Sequence, residues 1–469
     1  MNTTYIKSAK SLLALALLTF IGASASAQQL RTAYFMQNSP ARTALNPAFR
    51  PERGYVSIPV LGAVNASYTT NGIAVDNILF PKDGKTVTFM DNSVNTESFL
   101  NNLNDNNQIN ADFGTQILSG GWYAGKGFWT VDVSLKGLAN VRVPKTMFEF
   151  MKRGNSAEGT TYDINDISAY AESYLETGVG YSRPITEKLT VGGKVKVLLG
   201  VGSMDANITH MRAVMNDTKW SVTSTGTMSA SMKGLVPEMG VDEQGREYIS
   251  NFDFDSPGVS GFGMGVDLGA TYQLTENITL SAAVLDLGFV SWNKSGNTFG
   301  EVNGTFDFDG FDLAIGDHVA EGSQSMSDQF NSMKDDFENL FHFTQKASEG
   351  RTTRLRSTIN IGGEYRMLEN KLGFGLLSST RLYSPKAYTE LTVSANYRPI
   401  RWFEATLSYS FIHSKFKTYG LALNFTPSWI NFFIGSDYMF TKVTPQFLPV
   451  SGNATNLYMG ISVPLRGKM

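Results

Sequence analysis

The chain of 469 residues contains no cysteine. That excludes disulfides, a lipid anchor on an acylated cysteine and a zinc site built on thiolates. Its four histidines, His210, His318, His342 and His413, are scattered with no pair at metal-ligand spacing, so neither a metal nor a cofactor is expected. Beyond residue 27 no apolar run approaches the roughly 18 residues of a membrane-spanning helix. Charged residues are few, at 17%, and Lys plus Arg (39) fall short of Asp plus Glu (42), so nothing favours a nucleic-acid partner. The glycine-rich stretch from Gly261 to Gly269 has a spacing of two with no helix signal after it, which excludes a phosphate loop.

What is present begins with a leader. Lys7 and Lys10 precede the mostly apolar run Leu12–Ile21 and the small residues Ala25-Ser26-Ala27, which reads as a secretory signal peptide over residues 1–27. Its removal takes the formal charge from −3 to −5.

The dominant signal is alternation. From Gly261 to Leu274 the even positions Phe262, Met264, Val266, Leu268, Ala270, Tyr272 and Leu274 are apolar and the odd ones small or polar. Such a strand separates two unlike surroundings, and its length exceeds the mode of about 5–6 residues for soluble strands. A recurrent phrase follows: an aromatic strand end, a short turn, then a new apolar start. It occurs at Tyr181–Leu189, Tyr272–Ile278, Tyr365–Leu372, Tyr397–Phe403 and Phe425–Phe432. Aromatics at 12% and a near-neutral mean hydropathy of −0.14 agree with strands whose two faces average out. The expected fold is all-β: a transmembrane antiparallel β-barrel of about 14–16 strands, with short periplasmic turns and long extracellular loops. Following strand direction along the chain puts both ends of the barrel on the same side, as an even count requires. Ala206–Asn216 with Lys219–Met232 is a further pair whose membership of the ring stays open.

Alternation also assigns faces. Outward positions include Val191, Val195 and Val197; Leu355, Ile359 and Ile361; Leu391 and Val393; Leu407; Tyr419; and Ile434 and Tyr438. The lumen-facing set is Lys194, Lys196, Asp267, Arg356, Glu364, Arg366, Glu390, Arg398, Glu404 and Asp437, because Arg or Lys on the lipid face costs roughly 2–4 kcal/mol near the midplane. Residues 28–54 carry Pro40, Pro47 and Pro51 with little periodicity. They form an irregular periplasmic segment or a plug, with Asn46, Pro47, Phe49 and Arg50 as plug candidates, and the barrel occupies 55–469 with helical loop insertions.

Three long insertions, about Ser203–Pro257, Asn293–Gly350 and Phe440–Ala454, fall on the outer side. Helical spacing appears at Pro144–Lys152, at Thr96–Ile109 and at Met326–Leu340, the last serving either to enter the pore or to pack a loop on the rim. The alternations Phe252–Asp255 and Phe306–Asp312 fit a β-ribbon better than a calcium loop, since their spacing misses the EF-hand pattern. His413 and Ser414 are adjacent, so on one strand they would face opposite ways and could not share a proton, which argues against a barrel phospholipase.

The run Asn38-Ser39-Pro40-Ala41-Arg42-Thr43-Ala44-Leu45-Asn46-Pro47-Ala48-Phe49-Arg50-Pro51, leading to Tyr55–Pro59, resembles the opening of an uncharacterised family of Bacteroidota outer-membrane barrels of unknown function. Its Asn-Pro-Ala core is similar to barrels of type IX secretion, and the general layout to FadL-like transporters of hydrophobic compounds. The resemblance implies the bacterial outer membrane and its lipid as surroundings, and no catalytic residues. It leaves two functions: a non-enzymatic porin or transporter for small or hydrophobic solutes, or a structural partner of a surface or secretion complex. An open lumen would speak for passage and a sealed one for anchoring.

Overall fold

A computed structural model describes residues 31–465 apart from 74, 83–84, 155–159, 217–218, 242–244, 257, 309–338, 383–386, 413–415, 440–441, 444–448 and 452–453. The leader, His413 with Ser414, and most of Met326–Leu340 lie outside the described residues.

Fourteen antiparallel strands close into a ring. In chain order they are β1 (Tyr55–Ser57 and Val64–Thr70), β2 (Asn106–Ala124), β3 (Gly127–Pro144), β4 (Thr160–Pro184), β5 (Leu189–Met215), β6 (Gly261–Gln273) and β7 (Ile278–Trp292). The second half comprises β8 (Arg351–Arg354 and Thr358–Met367), β9 (Leu372–Leu382), β10 (Ala387–Ile400), β11 (Phe403–Ile412), β12 (Phe416–Phe425), β13 (Asn431–Ser436) and β14 (Ala454–Pro464). Each pairs with the next, and β14 closes on β1, with Tyr55 opposite Pro464. Closure leaves the ring with no edge strand, since each strand has a ladder partner on both sides along at least part of its length. The five aromatic-ended phrases are all short turns at one end, joined by a sixth at Ala124–Gly127, where Gly125 adopts φ +58°. Both ends of the barrel wall lie there too.

The faces follow the period of two. Phe262, Met264, Val266, Leu268 and Tyr272 are all exposed, as are Val195, Ile361, Val393, Leu407 and Tyr419, while Gly261, Gly263, Gly265 and Asp267 are buried. Three local breaks change the phase. β8 is interrupted at 355–357, and Leu355 turns inward against Tyr174, Leu198, Val290 and Trp292 instead of facing out. β13 ends at Ser436, so Tyr438 is also buried inside and not outward. At Asp286, with φ +57° beside a bulge in the β6 pairing, the exposed positions of β7 switch from Leu280 to Leu287 and Phe289.

Wall height is uneven. β4 and β5 run for 25 and 27 residues, β13 for six. Trp220–Met232 returns alongside the outer part of β5 but pairs onward with Asn297–Phe308, so this hairpin extends the wall without joining the ring. Ile164, Met211, Met215, Val222, Val302 and Phe306 form its core, and Asp307 faces away toward Lys219 at 3.3 Å. Phe252 packs partly on that core from the ribbon Leu235–Val241 with Glu247–Phe254.

A second cap sits over β1–β4. The helix expected over Thr96–Ile109 stops at Asn101, because the Asn107 side chain accepts from the Asn104 N–H and donates to the Asn104 carbonyl, and Asn106 already opens β2. The helix Lys145–Arg153 follows Pro144 and buries Phe148 against Phe89 and Phe99, with ring centroids 5.6 and 6.0 Å away. Phe148→Ala should loosen this cap by about 3–5 kcal/mol. Hydrogen exchange in Thr96–Asn101 and Lys145–Arg153 will quicken, while heat-modifiable migration of the barrel stays unchanged.

Candidate functional site

The interior of the barrel contains the start of the described chain. Residues 31–51 form no strand and no α-helix. Two 3₁₀ turns, Arg31–Ala33 and Pro40–Ala44, are joined by irregular backbone, and Pro40 opens the second, where its missing N–H is no loss. Tyr34, Phe35, Leu45 and Phe49 pack together with Leu377 of β9, and the Arg42 guanidinium lies 3.8 Å over the Phe49 ring. The segment leaves at the short-turn end, where Tyr123 donates to the Pro51 carbonyl at 2.6 Å and Arg50 donates to the Lys126 carbonyl at 3.4 Å.

Irregular backbone inside a barrel has no ladder to satisfy it, so wall side chains do so. Asp437 accepts the amides of Arg31 and Thr32 at 3.1 and 2.7 Å. Glu404 accepts those of Gln37 and Asn38 at 3.0 and 3.1 Å. Arg398, between Glu364 at 2.5 Å and Glu404 at 3.3 Å, donates to the Phe35 carbonyl at 2.5 Å. Asn360 donates to the Leu45 carbonyl at 3.0 Å, and Glu390 pairs with the Arg31 guanidinium at 2.9 Å.

Of the four plug candidates, Asn46 is fully buried and donates to the carbonyls of Ala270 and Ala282 at 3.3 and 3.1 Å. Phe49 is buried, and Pro47 and Arg50 are half-buried. Glycine on the wall makes room. A Cβ at Gly269 would overlap Asn46 Oδ1, and one at Gly192 would overlap the Pro47 carbonyl.

The opposite wall carries a second group of charges. Lys196 lies 2.7 Å from Asp267 and 2.6 Å from Asp286, with Glu176 at 3.7 Å. Lys136 reaches Glu176 at 2.7 Å, and Lys194 pairs with Asp132. Mutual pairing is what permits three ammonium groups and four carboxylates to be buried together, since stripping one partner from such a pair costs about 3–5 kcal/mol. Arg356 sits apart, its guanidinium 5.7 Å over the Tyr170 ring, and Arg366 lies near the short turns, donating to the Glu276 carbonyl and Thr279 Oγ1.

Lys194, Lys196 and Asp267 thus belong to one cluster, while Glu364, Glu390, Arg398, Glu404 and Asp437 belong to the plug's seat. Sequence reasoning missed Asp132, Lys136, Glu176 and Asp286. Asp286 falls on the outward phase of the first half of β7, and the shift of apolar residues to Leu287 and Phe289 is the signal that marks the change. Among the described residues no three metal-ligating side chains converge.

Cavities flank the segment. One of about 60 Å³ is bordered by Arg31, Leu45, Tyr170, Glu172, Leu355 and Arg356, and one of about 80 Å³ by Ala33, Ala44, Tyr55, Phe433 and Tyr458. Each has room for a few waters and is far below the roughly 300–1,000 Å³ of small-molecule pockets, whereas one of about 370 Å³ opens at the short-turn end beside Asn38, Pro40, Tyr55, Arg401 and Trp402. Replacing Gly269 by valine should dislodge Asn46. In the cysteine-free background, Ala48→Cys, at a buried position, will react slowly with thiol reagents, and adding Gly269→Val will raise its labelling rate at least tenfold.

No curated protein matches this sequence. Solved structures similar to it include a Pseudomonas aeruginosa FadL homologue (10% identity, 94% of this chain and 99% of that one, TM-score 0.43). Others are the Pseudomonas putida toluene transporter TodX (10%, 94% and 94%, 0.38) and a deltaS2S3 mutant of the TodX monoaromatic hydrocarbon channel (10%, 94% and 96%, 0.42). A family model matches residues 47–437, from inside the plug segment through the strands that seat it to Asp437, and the chain belongs to that family of unknown function, DUF5723.

Proposed function

We propose that this chain is a non-enzymatic barrel of the bacterial outer membrane that admits small or hydrophobic solutes and is shut at its short-turn end by residues 31–51. The carrying observation is that the occluding element is separate from the wall, which closes through β1 and β14 without it. An interior closed by wall side chains alone could not reopen without refolding, whereas polar contacts to a tethered segment can be exchanged for water.

The membrane setting rests on the outer face. Exposed Phe262, Met264, Leu268, Leu376, Val393 and Leu407 make an apolar belt far beyond the patches soluble monomers present. Tyr181, Tyr272, Tyr365, Tyr397 and Trp402 ring its short-turn end as an aromatic girdle. The short turns then face the periplasm. A second reading, a barrel that anchors a surface or secretion complex, is favoured by the sealed interior and by the height of β4 and β5. A span needs only about 9–11 residues, so most of each strand stands outside the bilayer.

Deleting residues 31–50 should raise single-channel conductance in planar bilayers several-fold, and unchanged conductance would count against passage. Leu268→Arg on the belt should lower stability by about 2–4 kcal/mol in urea titrations of vesicle-inserted protein. No loss there would remove the membrane assignment of that face.

A further inference from the structure

The seat of the plug reads main chain. Asp437 takes two consecutive amides, one per oxygen, and Glu404 does the same six residues on. In the opposite sense Arg398 and Asn360 donate to carbonyls of the segment. These contacts would form with almost any side chains on the bound strand. Side-chain contacts add selectivity: the hydroxyls of Thr32 and Tyr34 meet Asp437 and Ser281, the Gln37 amide meets Glu364 and Asn370, and the ionic contact is that of the Arg31 guanidinium with Glu390 at 2.9 Å and Asp437 at 3.5 Å.

The seat is also held in place from behind. Asn456 donates to Asp437 at 3.1 Å, Asn424 donates to Glu404 at 3.3 Å, and Glu364 fixes Arg398. Its geometry therefore does not depend on the segment it holds. Among the wall groups around the segment, the four carboxylates of Glu364, Glu390, Glu404 and Asp437 face Arg398 and, beside Glu390, Arg381, and Arg31 and Arg42 enter that acidic surplus.

We propose that residues 31–46 are a tethered stand-in for a passenger, and that the vacated lumen binds an extended peptide bearing a basic side chain. This rests on the plugged-channel reading and specifies its solute. Paired carboxylate-to-amide contacts are wasted on a hydrocarbon and are satisfied by a peptide, whose carbonyls also meet Arg398 and Asn360, and the acid beside them selects its charge.

The test uses the barrel lacking residues 31–50 in planar bilayers, its fold checked by heat-modifiable migration. The probes are acetylated hexapeptides: the Arg31–Met36 sequence, an arginine-plus-alanine peptide, and each with glutamate for arginine. Both arginine peptides should block at concentrations at least tenfold lower than their glutamate counterparts, and Glu390→Gln should abolish the difference. Raised conductance without block overturns the proposal and leaves the channel reading intact. Block by spermidine as effective as by peptide overturns it in favour of a simple cation site. Block by the Arg31–Met36 sequence alone makes the segment a cork with no passenger.

If the deletion fails to fold or to conduct, the full chain with Ala48→Cys decides. Added arginine peptide should speed labelling at least threefold by displacing the segment, and no change overturns the proposal.

Discussion

Every amide and carbonyl removed from water needs a partner, and in this protein that requirement is met in two different ways at once. The fourteen strands answer it among themselves by closing into a ring. Residues 31–51 inside the ring cannot, because three prolines and two short 3₁₀ turns leave most of their backbone without partners of its own. The polar lining of β8, β10 and β11, with Asp437 just past β13, complements that segment. Asp437, Glu404, Arg398 and Asn360 are placed where its main chain needs them, and Gly192 and Gly269 where it needs space. Remove the segment and these groups have lost their chief protein partners, although they remain braced by Asn456, Asn424 and Glu364.

The opposite wall solves a similar problem without the segment. Lys136, Lys194 and Lys196 are matched by carboxylates from β3, β4, β6 and β7, so that half of the lining is self-sufficient. The interior therefore has a half paired wholly within the wall and a half whose braced groups take further partners from an occupant. This division bears on function because only the second offers groups whose partners can be exchanged.

The wall was legible in the sequence wherever the period of two ran unbroken. Gly261–Leu274 sorted correctly because each side chain there meets lipid-like exposure or the interior with nothing between, and the same held for Val393, Leu407 and Tyr419. Reading failed where one residue changed phase. The break at 355–357 turned Leu355 inward, the end of β13 did the same for Tyr438, and the left-handed backbone at Asp286 hid a member of the lysine cluster. A single slip reverses every later face on its strand, so an error of one residue is an error of inside and outside. The seat was illegible for another reason. Its partners are separated from Arg31 and Thr32 by more than 400 positions, and no local pattern announces such a meeting.

That separation has a consequence for how the molecule is made. Asp437 is 406 residues from Arg31, and Glu404 is 367 from Gln37. The stretch that is synthesised before any strand thus finds its binding groups only after the last strands have been laid down. Contacts so distant along the chain are the slowest to form, because the entropy of the intervening loop must be given up first. The seating of the interior occupant is consequently as late an event as the closure of β14 on β1, whose partners Tyr55 and Pro464 are just as far apart, and neither can precede the last strands.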